Sequence, residues 1–273
     1  MQVGIFAKTF PGTDPLAVLT AVRDSGYAAT QFNLACCGLP SMPDVVPEDA
    51  VAAIAAAAKA TGVSLVALSG TYNMAHPDPR LRATGLGQLA VVLKAASALA
   101  IPLVTLCTGT RHPTDQWAHH PDNADPSAWA DMAAEMAMAL TLAEDYGVDL
   151  GIEPEQANIV TSAADATRLI AEMGSPRLRI VLDPANLFEA ATPGEARRIV
   201  AEAVGTAAGH IAMAHAKDRA ADGKFVTAGK GVVDFPDFLA RLQATGFDGP
   251  LVTHGLSAAE APDVAAFLAG LIR

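Results

Sequence analysis

Short apolar runs and longer amphipathic stretches alternate along the whole chain, a strand-then-helix rhythm repeating about every 25–45 residues. Val3–Phe6, Ala29–Asn33, Val63–Ser69 and Leu103–Cys107 read as the first four strands, and four more runs end at Glu153, Asp183, His215 and His254. Between them apolar residues recur at helical spacing. These stretches run from Asp14 to Gly26, Pro47 to Gly62, Asp78 to Ala100, Ser127 to Gly147, Ser162 to Gly174, Gly194 to Ala207, Phe235 to Gly246 and Pro262 to Arg273. Asp78-Pro79 supplies an N-cap and a first-turn proline for its helix. Eight strands, each followed by a helix, predict an α/β chain folded as a single (β/α)8 barrel over residues 1–273. The chain is about as long as such a barrel requires.

In such a barrel the C-terminal ends of all strands meet on one face, where reacting groups collect. The late runs are Val148-Asp-Leu-Gly-Ile-Glu153-Pro-Glu155, Leu178-Arg-Ile-Val-Leu-Asp183-Pro, Ile211-Ala-Met-Ala-His215-Ala-Lys217-Asp218 and Leu251-Val-Thr-His254-Gly. Each terminal residue has a plain reading by itself. Glu153 can meet a basic neighbour in solvent, Asp183 can cap its own turn as Asp-Pro often does, and a strand-end histidine is commonly a satisfied structural residue. Together, two carboxylates and two imidazoles on one face suit one divalent cation of borderline softness. That convergence points to a metal-dependent enzyme.

Further polar residues fall on the same face. Glu155 sits two residues beyond Glu153, and Lys217 alternates with His215 and brings positive charge to the same mouth. Asn33, Asn73, His76, Arg111, His112, Trp117, His119 and His120 lie in loops there. The polar segment Thr108–Pro126 exceeds the usual length of a βα loop, so a covering or binding role is expected. Gly229-Lys230-Gly231 follows the seventh strand, where barrels often bind phosphate, although an ordinary turn before the next helix is the better reading of two glycines. His210 starts its strand on the opposite face and reads as structural.

Composition narrows the partners. Apolar residues make up 51% of the chain and charged residues 17%, enough for a large core. A net charge of −11 argues against gripping a phosphate backbone, so no nucleic-acid partner is expected. No uncharged apolar run approaches the roughly 18 residues of a membrane span, and no basic segment precedes the first apolar run. No membrane partner and a cytoplasmic location are therefore expected, with homo-oligomerisation left open. Cys36 and Cys37 are adjacent and the cysteine count of 3 is odd, so buried thiols in a reducing compartment fit better than disulfides.

The ordered set Ile152-Glu153-Pro-Glu155, Leu182-Asp183-Pro-Ala-Asn186, Ala214-His215-Ala-Lys217-Asp218 and Gly229-Lys-Gly231 followed by Asp248-Gly-Pro250-Leu resembles the xylose isomerase-like TIM-barrel superfamily. That group holds sugar isomerases, ketose 3-epimerases, inosose dehydratases and isomerases, and endonuclease IV-type DNA-repair enzymes. The resemblance implies a metal held by Glu153, Asp183, His215 and the position of His254. Epimerase-like members carry a second glutamate there, a metal ligand and proton-transfer group, and this chain has an imidazole instead. Glu153 and Asp183 with two neutral imidazoles balance one divalent ion, and the added nitrogen shifts preference toward Zn, Co, Ni or Fe, with Mn also eligible.

The activity so implied is isomerisation or epimerisation of a sugar or related polyhydroxy carbonyl compound through an enediolate, with a small carbohydrate as partner. Glu153 and His254 would transfer protons, while Lys217, Arg111, His76, Asn186 and Glu155 would bind substrate. A lyase or dehydratase acting on a keto-sugar or inosose shares the first proton abstraction and is the alternative. The missing glutamate motivates a less favoured alternative, a non-catalytic sugar-binding barrel. An endonuclease IV-like phosphodiesterase needs more histidine ligands and a basic face than this chain offers.

Overall fold

The computed structural model describes residues 1–272; Arg273, the expected end of the last helix, lies outside the described residues. Strands β1 (Gln2–Phe6), β2 (Ala29–Phe32), β3 (Ser64–Ser69), β4 (Leu103–Leu106), β5 (Asp149–Ile152), β6 (Leu178–Leu182) and β7 (Ile211–Ala216) are joined in chain order by helices. After β7 come the short β8 (Asp218–Arg219) and β9 (Phe225–Val226), an antiparallel hairpin outside the barrel, and then β10 (Pro250–Thr253). The eight long strands are parallel and close in the order β1-β10-β7-β6-β5-β4-β3-β2. This is the expected (β/α)8 barrel.

The outer layer consists of α1 (Pro15–Asp24), α2 (Glu48–Thr61), α3 (Pro79–Ala98), α4 (Pro126–Tyr146), α5 (Ala163–Met173), α6 (Pro193–Thr206), α7 (Phe235–Ala244) and α8 (Ala261–Leu271). Three of these helices open with one device. Asp14, Asp78 and Asp125 each accept a backbone N–H two residues ahead, and a proline follows each of them. Thr192 and Glu195 form a capping box on α6. Among the described residues no helix is long and apolar enough to cross a membrane. The three cysteines are free, with Cys36 and Cys107 buried.

A large apolar core lies between strands and helices, and a second, small cluster lies among the strands: Ala67, Leu103, Val181, Met213 and Val252. Gly151 of β5 belongs to the same layer. A Cβ there would stand 2.8 Å from Val181 Cγ2 and 3.1 Å from Leu103 Cδ1, so this layer closes around a glycine. Strand side chains alternate with period two. Two residues further along each of these strands come Ser69, Thr105, Glu153, Asp183, His215 and His254. The apolar layer is thus the dry floor beneath a ring of polar groups at the C-terminal mouth.

Candidate metal centre and cavity

The four strand-end residues converge as expected. Ligand atoms of Glu153, Asp183, His215 and His254 lie within 4.8 Å of one another. His254 Nε2 is 3.1 Å from Asp183 Oδ2, and His215 Nδ1 is 3.3 Å from Glu153 Oε1 and 3.8 Å from Asp183 Oδ2. The imidazole rings meet edge to face, with centroids 4.5 Å apart. In a tetrahedral zinc-like site, ligands at about 2.0–2.2 Å from the cation stand roughly 3.4 Å apart. The separations of 3.1, 3.3 and 3.8 Å bracket that spacing, and two carboxylates with two imidazoles match the charge and softness of one such ion.

Burial and charge act together here. Burial opposes ionisation of Asp183, but His254, Lys217 and His215 outweigh it and hold the carboxyl below the usual carboxylate range. Burial would depress His215, yet Glu153 and Asp183 beside it raise its pKa above the ordinary value. His254 is pushed down by burial and by His215 next to it, which favours the neutral, ligating imidazole. Glu155 is pushed up to about 7, first by burial and then by the charge of Glu153.

A second set of groups holds Glu153, Asp183 and His215 in place. Asn186 Nδ2 donates to Glu153 Oε1 at 2.7 Å, and Lys217 Nζ donates to Asn186 Oδ1 at 3.1 Å. Lys217 is held over the Phe225 ring of β9, 3.5 Å from its centroid. Asp183 Oδ1 accepts from Ala185 N, so the plain turn-capping reading and the ligand geometry coexist on two oxygens of one carboxylate. His215 Nε2 lies 3.0 Å from Gln31 Oε1, and Gln31 Nε2 donates to Ser69 Oγ and Thr105 Oγ1.

These groups line a cavity of about 410 Å³, in the range of small-molecule sites. Its wall includes Glu153, Glu155, Asn186, His215, Lys217 and His254, together with Asn33 and Trp117. Gln31, Ser69, Thr105, Phe6, Lys8 and Gln116 also line it, and none of these was singled out in the sequence. The first three stand two residues beyond Ala29, Ala67 and Leu103, and that inward parity is the signal that marks them.

Two expected substrate-binding residues lie elsewhere. Arg111 donates to Asp131 Oδ2 at 2.7 Å and to Ala75 O, and His76 is held between Pro113 O and the amide of Asp78. Neither lines the cavity; both tie the loop after β3 to the loop after β4, and Arg111 also reaches α4 through Asp131. A charged residue in a mouth loop is drawn outward when a helix supplies its counter-charge. Asn73 likewise serves the backbone, accepting from Thr110 N and donating to Thr110 O. Gly109 sits at φ 76 against it, and a Cβ there would clash with Asn73 Oδ1. His112 and His120 cap turns within the long loop, and with His119 they stay off the cavity wall, so only Gln116 and Trp117 of residues 109–126 reach it.

The glycine segment after β7 is a turn. The Asp218 carboxylate accepts the amides of Gly229, Gly231, Val233 and Arg219, which occupies the donors a phosphate would use. Lys230 pairs with Glu260 at 3.0 Å.

The family described as xylose isomerase-like TIM barrel matches residues 19–270. No curated protein matches the sequence. Among solved structures, the chain is similar to 3-keto-D-glucoside 4-epimerase from E. coli, with TM-score 0.78, 17% identity and 99% of each chain covered. It is similar to an L-ribulose 3-epimerase, with TM-score 0.78, 20% identity, and coverage of 99% of this chain and 94% of the other. It is also similar to D-psicose 3-epimerase from Clostridium cellulolyticum H10, with TM-score 0.75, 16% identity and 100% of each chain covered.

Proposed function

The chain belongs to the xylose isomerase-like TIM barrels, and from that premise we propose that it is a divalent-metal-dependent isomerase or epimerase of a small sugar or related polyhydroxy carbonyl compound. The carrying observation is the cluster of Glu153, Asp183, His215 and His254, with ligand atoms within 4.8 Å of one another, on the wall of a cavity sized for a sugar. The similar structures that act on a keto-glucoside, ribulose and psicose support the substrate class.

A bound cation supplies Lewis-acid polarisation of a carbonyl and its neighbouring hydroxyl, which acidifies the C–H between them and favours an enediolate-type reaction. Glu153 is the base for that proton. Its Oε1 is fixed by Asn186, which Lys217 fixes in turn, so the carboxylate is oriented before substrate arrives. His254 is a neutral ligand in the place of the usual carboxylate. Lys217, Asn186 and Glu155 bind substrate hydroxyls, and Trp117, 54% exposed at the mouth, covers the outer part of the cavity.

The test combines metal analysis with proton NMR in D₂O over free ketoses, keto-glycosides and inososes. About one divalent ion per chain and deuterium entering next to the substrate carbonyl are expected. Glu153→Gln should stop that exchange, with metal content measured alongside. Loss of water from the substrate would assign a lyase instead. Absence of metal from the purified and metal-supplemented protein would remove the premise.

A further inference from the structure

We propose that Gln31 is a positioning residue that decides which nitrogen of His215 is offered to the metal; the inference rests on the reading of His215 as a ligand. A neutral imidazole carries one proton, and the partner of the non-ligating nitrogen selects where it sits. In this site Nδ1 faces Glu153 and Asp183, at 3.3 and 3.8 Å, so Nδ1 is the ligating atom. Nε2 faces Gln31 Oε1 at 3.0 Å. A carbonyl oxygen there demands an Nε2–H and leaves the Nδ1 lone pair free.

The two ends of an amide have the same shape, so something must orient Gln31. Its Nε2 lies 3.2 Å from Ser69 Oγ and 3.1 Å from Thr105 Oγ1, hydroxyls on adjacent strands that together take both amide protons. Hydroxyls can also donate. In the reversed arrangement Ser69 and Thr105 donate to Oε1 and the amide N–H donates to His215 Nε2. The ring proton then moves to Nδ1, against Glu153, where it blocks the cation. Gln31 is 8% exposed, so water is poorly placed to replace either partner. Gln31 is thus a two-position element: one orientation fits the metal, and the other closes the site with a proton.

Substitutions separate these states. Gln31→Met keeps the size but presents no strong acceptor, and zinc affinity should fall about 10- to 100-fold, the usual effect of losing a ligand's outer partner. Gln31→Glu can only accept, cannot reverse, and should bind zinc at least as tightly as wild type. Ser69→Ala with Thr105→Ala frees the amide to reverse and should weaken binding less than Gln31→Met does. Affinity is read by competition with a chromophoric chelator, with circular dichroism reporting the fold. Nitrogen-15 NMR of the zinc-loaded imidazoles should show a slowly exchanging Nε2–H on His215 in wild type and its loss of protection in Gln31→Met. Wild-type affinity and protection in Gln31→Met would overturn the inference. If that variant does not fold, equal affinities in Gln31→Glu, the Ser69/Thr105 double variant and wild type would overturn it. A wild type that takes up no divalent metal sinks the metal reading and this inference together, whereas zinc binding indifferent to position 31 sinks the inference alone.

Discussion

Removing the Asp218 carboxylate should markedly lower the stability of the chain, although Asp218 is not among the four clustered groups at the mouth. The residue is fully buried, and its two oxygens accept four amides: Arg219 N at 2.8 Å and Val233 N at 3.0 Å on Oδ1, and Gly229 N at 3.1 Å and Gly231 N at 2.8 Å on Oδ2. Bonds to a charged acceptor contribute about 1.5–3 kcal/mol each, but three of these amides are only partly buried and regain water when the acceptor is lost. A net loss of about 3–5 kcal/mol follows for Asp218→Ala. Asp218→Asn should lose a similar amount, because its NH₂ would face one pair of N–H donors while its oxygen serves the other. Urea unfolding followed by circular dichroism measures the loss, and Tm should drop by roughly 10 °C. Amide exchange at Gly229, Gly231 and Val233 should accelerate together. Because those amides are occupied, millimolar phosphate should leave the wild-type Tm unchanged. A loss below about 1 kcal/mol in both variants would refute the assignment of Asp218 as the staple of this loop.

Trp117→Ala should raise KM on an identified substrate while leaving metal content and Tm unchanged, since the ring lines the cavity mouth and is largely exposed; unchanged kinetics would make the loop tip a surface excursion. Arg111→Ala should cost about 1–2 kcal/mol of stability through its lost bonds to Asp131 and Ala75 O, with zinc affinity unaltered; a selective loss of substrate binding at full stability would restore it as a binding residue. Burial raises the Cys36 thiol to about 11 and raises Cys107 as well, so both stay protonated at pH 8. Ellman's reagent should therefore react with them slowly in the native protein and fully after denaturation, and rapid native reaction would contradict the buried setting.

Several elements were legible because their cause is local. An aspartate before a proline marks the start of α3, and an apolar run closed by a charged or imidazole residue marks each member of the cluster Glu153, Asp183, His215 and His254. Gln31, Ser69 and Thr105 escaped notice because they are uncharged and sit inside apolar runs. Only their step of two from Ala29, Ala67 and Leu103 betrays them, and the inner layer to which Ala67 and Leu103 belong is defined by the closed barrel. Arg111 and His76 are a different case: neither lines the cavity. Their loops lie at the expected mouth of the barrel, but whether a long side chain turns inward or outward depends on partners such as Asp131, more than a dozen residues away. The β8–β9 hairpin, with two residues per strand, is too short to carry a period at all.

The imidazole at position 254 changes the electrostatics of the proposed reaction. With Glu153 and Asp183 ionised and both imidazoles neutral, the four ligands cancel the charge of one divalent ion. Lys217, only 9% exposed, then contributes a further positive charge close to Asn186 and to Glu155. When Glu153 takes a proton from the substrate, one negative charge passes from a carboxylate to the reacting carbons. A carboxylate at 254 would repel that charge at close range, whereas a neutral imidazole would not. The same substitution removes one carboxylate base from the mouth. Under the proposed mechanism the site gives up a second strong base and accommodates an anionic form of the substrate better, with Lys217 on the wall of the same cavity.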